Sequence, residues 1–456
     1  MDMEDILVMA DKAIKRISES QCEGEIYFEH SYNETITLER GQLKIANLAD
    51  LIGYSIRVKK NNRFSFSSSS NLDEFNGIID LAIDSLSISQ PDEFQNFSWP
   101  ATDKTPVYEY YDKNVETTTS ESMIEDLLAM NSFSQDVKHL ESFGGTWSKR
   151  KLGRVIFNTN GVELNDMQTS MYVSASCNLK KDNTTAYGFE FQHDHKRVTV
   201  DTERIAKTAI EVSKSQLEKE TIESGSWPVI IHPLCVNEFL GWLLPPALAG
   251  DQILRNNSPF IDKIGDQIAS EVFTVYDDPK VSVQRNSSFD DEGTVRETPL
   301  PVIEKGILQG YIHNNRSAKA MGTESTGNGF HWERYNGHSY GYAVSVYPTT
   351  FKIHLGSETW ETMLEDINYG LLLGYVIGAH SSVIANGNYS VVAYMANIIE
   401  NGQLGCAPKR AMLPGNLTET LTRVIQVSKE HREDFNDWNY SISSPYLLID
   451  GMKIIS

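Results

Sequence analysis

The sequence is short of positive charge: 40 Lys and Arg stand against 62 Asp and Glu in 456 residues, a formal charge of −22. Such a surplus repels phosphate backbones and acidic lipid headgroups, which argues against direct nucleic-acid or membrane binding. Cysteine is scarce as well. Cys22, Cys177, Cys235 and Cys406 lie far apart with no CxxC pair, so neither a zinc knuckle nor a disulfide scaffold is indicated. Long apolar runs are missing, the longest being Leu371 to Ala379, about half of what a membrane span needs. The first turn carries Asp2, Glu4 and Asp5 where a secretory signal requires a basic start and an apolar stretch, so the expected location is cytoplasmic. The Gly/Asn-rich segments at 327–329 and 378–388 open no helix in the manner of a phosphate-binding loop, which excludes a nucleotide site of that type.

What is present reads as α+β. Ile6, Ala10, Ala13, Ile14 and Ile17 recur at helical spacing, followed by short alternating runs at Glu25–His30, Thr35–Arg40, Leu43–Ala46 and Ser55–Val58. A second helix follows, with Asn71 as its cap and Phe75, Ile79, Ala82 and Leu86 on its apolar face. After a proline-marked stretch the order recurs: a helix at 119–131, strands between 138 and 193, and a helix at 201–219. That order suggests an internal duplication of helix, meander, helix. At Gly225 a Glu/Lys-rich helix gives way to the buried-strand pattern Trp227–His232. The expected organisation is therefore an N-terminal domain over 1–224 and a β-rich C-terminal domain over 225–456, each with largely antiparallel sheet plus helices. Glu304-Lys-Gly306 and Asn401-Gly402 lie between apolar runs as hairpin turns.

The segment Asn237-Glu238-Phe239-Leu240-Gly241-Trp242 reads as a zinc-peptidase helix without its metal ligands. A His-Glu-x-x-x-His segment would carry two imidazoles and a general-base Glu; here Asn237 and Trp242 occupy the imidazole positions and Glu238 remains. The flanks support that alignment. They run Leu248-Ala-Gly-Asp251, Ile268 to Pro279, Ser288-Phe-Asp-Asp-Glu-Gly293, Ile303 to Leu308, Ser325-Thr-Gly-Asn328, Gly378-Ala-His-Ser381 and Ile399-Glu-Asn-Gly402.

In order and interval this series resembles the TldD/TldE (PmbA, "modulator of DNA gyrase") family, most clearly over residues 225–425. Gly378-Ala-His-Ser381 and the missing ligands resemble its TldE/PmbA branch. The resemblance implies a non-catalytic or regulatory subunit that pairs with a zinc-bearing TldD-type subunit, or with itself. Together such subunits enclose a cavity in which unstructured peptides are cut, for proteolysis or peptide maturation. Zinc is then expected in the partner and none in this chain. Metal-bearing relatives add a Cys near the C-terminus, whereas the tail Phe435–Ser444 contains none.

Without a metal, Glu238 has no bound water of lowered pKa to activate, so no catalytic residue is assigned. Asp290-Asp291-Glu292 ahead of Gly293 reads either as a tight turn or as part of the substrate cleft near which the resemblance places it. Asn328 and His380 are the further cleft candidates, His380 reading equally as a loop imidazole. His313, His331 and His338 lie close in sequence without the cysteine or carboxylate spacing of a metal site. Two rival readings stay open: a stand-alone peptidase with a relocated site, and a homodimeric peptide-binding scaffold.

Overall fold

The computed structural model describes residues 3–101, 110–280, 288–433 and 442–456. The N-terminal half is built on helix α1 (Met3–Glu19), strands β1 (Glu23–Glu39), β2 (Gln42–Lys60) and β3 (Arg63–Ser69), and helix α2 (Phe75–Ser85). The one-turn α3 (Lys113–Glu116) leads into α4 (Ser120–Ser132), strands β4 (Leu140–Asn158), β5 (Glu163–Lys181) and β6 (Thr184–Asp194), and helix α5 (Thr202–Ser215). The strands form one antiparallel sheet in the order β3-β2-β1-β4-β5-β6, so β1 and β4 join the two three-stranded meanders edge to edge.

Side-chain alternation gives this sheet two different faces. Ile26 and Phe28 of β1, with Tyr54, Ile56 and Val58 of β2, point to α1 and α2, which supply Ile6, Ala10, Ala13, Ile17, Phe75 and Ile79. The second meander does the same with α4 and α5, through Trp147, Val173, Met123, Leu127, Ile205 and Ala209. The opposite face carries Glu25, Tyr27, Glu29, Arg57 and Arg154, all buried against the C-terminal half. Sequence and structure differ in two details here. The short runs expected in the first meander are two long strands, because β1 and β2 stay paired from Glu23↔Lys59 to Glu39↔Gln42 through the polar stretch between them. Asn71 caps a short 3-10 turn, its side chain accepting from the Asp73 N–H, and α2 starts only at Phe75.

The C-terminal half wraps an eleven-stranded sheet around β8 (Gly225–Ile231); the two-residue β7 (Lys219–Glu220) lies apart from it. Strand β8 runs antiparallel to Ile442–Ile454 and parallel to Tyr369–Ile377, which pairs antiparallel with Asn388–Glu400. Both turn signals sit at hairpins: Lys305 and Gly306, like Asn401 and Gly402, have positive φ, a conformation Asn and Gly tolerate. Helix α6 (Pro233–Gly241) follows β8 directly and is buried nearly all round, with Val236, Phe239 and Leu240 in the largest core cluster. Among the described residues no helix is long and apolar enough to cross a membrane.

Candidate functional site

Helix α6 starts because Pro233 presets its first turn and the His232 ring accepts the Leu234 N–H. It ends at Trp242, four residues after Glu238 and so on the same helix face. The indole Nε1–H donates to the Glu238 carboxylate at 3.1 Å, and the Tyr375 hydroxyl is a second donor. Burial pushes the Glu238 pKa up to about 7, against the pull of those two hydrogen bonds. Asn237 is 4 % exposed and its amide donates to the Ile442 carbonyl at 3.3 Å. Cys235, one turn before Glu238, is fully buried, and burial holds its thiol protonated.

These side chains do not fit a zinc ion. Indole Nε1 is a donor with no lone pair to offer, and the Asn237 amide is a weak ligand already tied to backbone. Among the described residues no three His, Cys, Asp or Glu gather as a ligand set. Of the tail Phe435–Ser444, residues 435–441 lie outside the described residues; Ser444 donates to the Pro233 carbonyl at the foot of α6.

Trp242 packs outward against the turn that follows the strand Gly329–Glu333. Its indole stacks on Tyr335 at 5.6 Å between ring centroids, with 25° between planes. The Arg334 guanidinium lies over both rings, at 5.7 Å from Trp242 and 5.2 Å from Tyr335. His380 is exposed on the 3-10 turn Ala379–Ser381, its ring 6.2 Å from the indole. Its carbonyl accepts from Arg334 Nη2 at 3.1 Å and from the Tyr335 hydroxyl at 2.9 Å.

The acidic candidates lie elsewhere, in the joint between the halves, and none faces solvent: Asp290 and Asp291 are 0 % exposed and Glu292 1 %. Asp290 does turn chemistry, accepting the Glu292, Thr294 and Gly329 N–H groups at 2.8–3.1 Å. Burial and the neighbouring Glu292 charge hold its carboxyl well above the usual range. Asp291 receives Arg154 Nη1 at 3.0 Å, His338 Nε2 at 2.7 Å and the His331 N–H at 2.9 Å. Despite its burial, the His338 and Arg154 charges hold it far below the usual carboxylate range. Glu292 binds Arg57 Nη1 at 2.6 Å and the Asn315 N–H at 2.7 Å. Gly329 is needed beside it, since a Cβ there would meet the Glu292 carboxylate at 2.5 Å. Asn328 is sealed as well, donating to Asp277 at 2.6 Å and to the Tyr347 carbonyl at 2.9 Å.

The structure thus separates the residues that the sequence grouped. Glu238, Trp242 and His380 meet through Arg334 and Tyr335. Asp290, Asp291 and Glu292 form a buried polar joint with Arg57, Arg154, His331 and His338, while Asn328 binds Asp277 beside it. His338 bridges Asp291 and Glu29 (3.0 Å); His331 is fully buried, bonded to Ser55 and the Tyr342 carbonyl, and burial lowers its pKa to about 4. Sequence reasoning missed Arg334, Tyr335, Tyr375 and the joint's arginines. Only the Glu238–Trp242 bond had a local signal, the i,i+4 spacing.

Comparison with known proteins agrees with the fold and the motif order. The sequence profile of the PmbA/TldA metallopeptidase C-terminal domain matches residues 224–456, that of domain 1 matches 24–89, and that of the central domain 113–217. An uncharacterised protein of Methanocaldococcus jannaschii is 27% identical over 94% of this chain and 95% of its own length. A metalloprotease TldD homologue of Buchnera aphidicola is 23% identical over 90% of this chain and 86% of its own, and a metalloprotease PmbA homologue of Haemophilus influenzae is 25% identical over 76% and 72%. In fold, the crystal structure of TldE from Thermococcus kodakarensis superposes with a TM-score of 0.87 over 100% of both chains at 24% identity. A profile spanning the whole C-terminal half, joined by two more in chain order, is decisive: this chain belongs to the PmbA/TldD metallopeptidase family.

Proposed function

We propose that this chain is the non-catalytic, TldE-like subunit of a TldD/TldE-type zinc metallopeptidase that acts on unstructured peptides in the cytoplasm. The observation that carries the reading is the state of α6. Trp242 stands at a ligand position as a packed indole bonded to Glu238, and Asn237 stands at the other, tied to Ile442. Restoring metal chemistry would require taking apart core packing as well as exchanging ligands. In this role the chain completes the wall of a peptide cavity, and the TldD-type partner supplies zinc and the hydrolytic step. One observation favours a second reading, a stand-alone enzyme: a Glu238 pKa of about 7 is in the range of a working general acid or base.

The two readings separate on purified protein expressed with zinc and never exposed to chelator. For the subunit reading, elemental analysis finds far less than one zinc per chain, the chain alone leaves a casein-like substrate intact, and a TldD-type relative from the same cell gains activity on mixing. About one retained zinc, or cleavage by the chain alone that Glu238→Gln abolishes, overturns it.

A further inference from the structure

Arg334 is the guanidinium that the protein leaves without a counter-charge at this site. Arg57, Arg154, Arg296 and Arg432 each contact a carboxylate; Arg334 has no carboxylate within ion-pair distance among the described residues. Its Nη2 donates to the His380 carbonyl, and its buried Nε has no partner. In a chain with 22 more acidic than basic residues, this half-buried cation lies against the exposed Tyr335 ring and has donors to spare. It is also held in place. The rings of Trp242 and Tyr335 flank it, and Tyr335 sits at φ +77°, a left-handed conformation that a non-glycine residue rarely adopts. Stacking on Trp242 and the bond to His380 maintain that conformation. Tyr335 is 54% exposed and His380 is exposed, so the site faces outward.

We propose that Arg334, framed by Trp242, Tyr335 and His380, is a carboxylate-binding subsite for a peptide. A stacked guanidinium keeps its plane fixed and presents N–H groups at its edge, the geometry that a carboxylate meets with paired charge-assisted hydrogen bonds. The exposed His380 imidazole flanks it as a further donor, while the Tyr335 hydroxyl is held by the His380 carbonyl. The anion arrives either as the free C-terminus of a peptide or as an Asp or Glu side chain. The proposal rests on the peptide-handling role above and adds what the peptide must carry.

The test uses the full-length chain and three N-terminally labelled, unstructured dodecapeptides of Ala, Ser, Gly and Leu: one with a free C-terminus, one amidated, and one amidated with a central Glu. Fluorescence anisotropy reads their affinities for the wild type and for Arg334→Gln, which keeps a planar polar group against the rings. A melting curve confirms that the variant is folded, and Arg334→Met, which is likewise uncharged, replaces it if it is not. The expected result is at least tenfold tighter binding of the free-acid peptide than of the amide, lost in the variant. If the Glu peptide alone regains the affinity, the side-chain carboxylate is the ligand. Equal affinities in the wild type, discrimination that survives in the variant, or no binding of any peptide at millimolar concentration overturns the subsite. None of these touches the subunit reading, which metal content and mixing decide.

Discussion

Glu238 has a definite pH signature. Its folded pKa is raised above that of an unfolded glutamate, to about 7. The stability it contributes is therefore fully present below about pH 4.5 and lost as pH rises through 7. Glu238→Gln, neutral at every pH, is expected to leave stability nearly unchanged at pH 4.5 and to stabilise the chain at pH 8.5 by about 1–3 kcal/mol. Paired thermal melts at the two pH values check this, and an equal effect at both would show that the carboxyl is not held protonated. At the same scale the sequence was legible only in part. The alignment of Asn237, Glu238 and Trp242 with a ligand-bearing helix rests on the flanking motifs and the family resemblance; the bond between the last two is what the local i,i+4 spacing marks. Nothing local marks Tyr375 or Arg334, which reach the site from 137 and 96 residues beyond Glu238 along the chain. Asp290, Asp291 and Glu292 look like a solvated turn in sequence because their partners, Arg154 and Arg57, are 137 and 235 residues away from Asp291 and Glu292.

At the level of elements, periodicity served the helices best. α1, α4 and α5 fall where apolar spacing places them, since each buries one stripe against one sheet face; Thr119 caps α4 and Asp201 caps α5, although α5 ends at Ser215 and not at 219. The strands were harder to bound. β2 continues through Gln42–Leu51, where side chains on both faces are almost all exposed, so burial imposes no alternation that would bound the strand there. The short strand Gly337–His338 is a further element with a pH signature. Burial works against the imidazolium, but Asp291 and Glu29 outweigh it and raise its pKa above the ordinary value. That contribution is complete below about pH 6.5 and is lost as pH rises through the folded pKa. His338→Gln should therefore lower Tm more at pH 6 than at pH 8.5, and calorimetry at both values reads the gap. A gap independent of pH would mean that His338 is neutral between its two carboxylates.

At the scale of the whole molecule, the two halves are held by charges as well as by apolar contact. The joint runs from Glu25 and Arg57 through Glu292 to Asp291, Arg154 and Asp166, with Arg57, Arg154 and Glu25 all under 5 % exposed. Removing one partner of such a buried pair costs about 3–5 kcal/mol, because the other charge is left buried alone. Asp291→Asn should lower stability by that amount and split a single calorimetric transition into two, one for each half. A small, single-transition effect would place the coupling of the halves in the apolar contacts instead.

The joint also has a consequence for how the chain is made. Arg57 and Arg154 belong to a sheet that is complete once β6 leaves the ribosome, yet Asp291 follows Arg154 by 137 residues. From the end of β6 at Asp194 to Asp291 is 97 residues, so at about 5–20 residues per second roughly 5–19 s pass before that carboxylate is translated. During the interval the nascent sheet exposes a charged face that will later be sealed, on which Arg57 is paired with Glu25, Arg154 with Asp166 and the Tyr27 hydroxyl with Glu29. Early in its synthesis the sheet therefore shows water a charged face whose ion pairs are internal, and the C-terminal half later adds Asp291 and Glu292 to pairs that already exist.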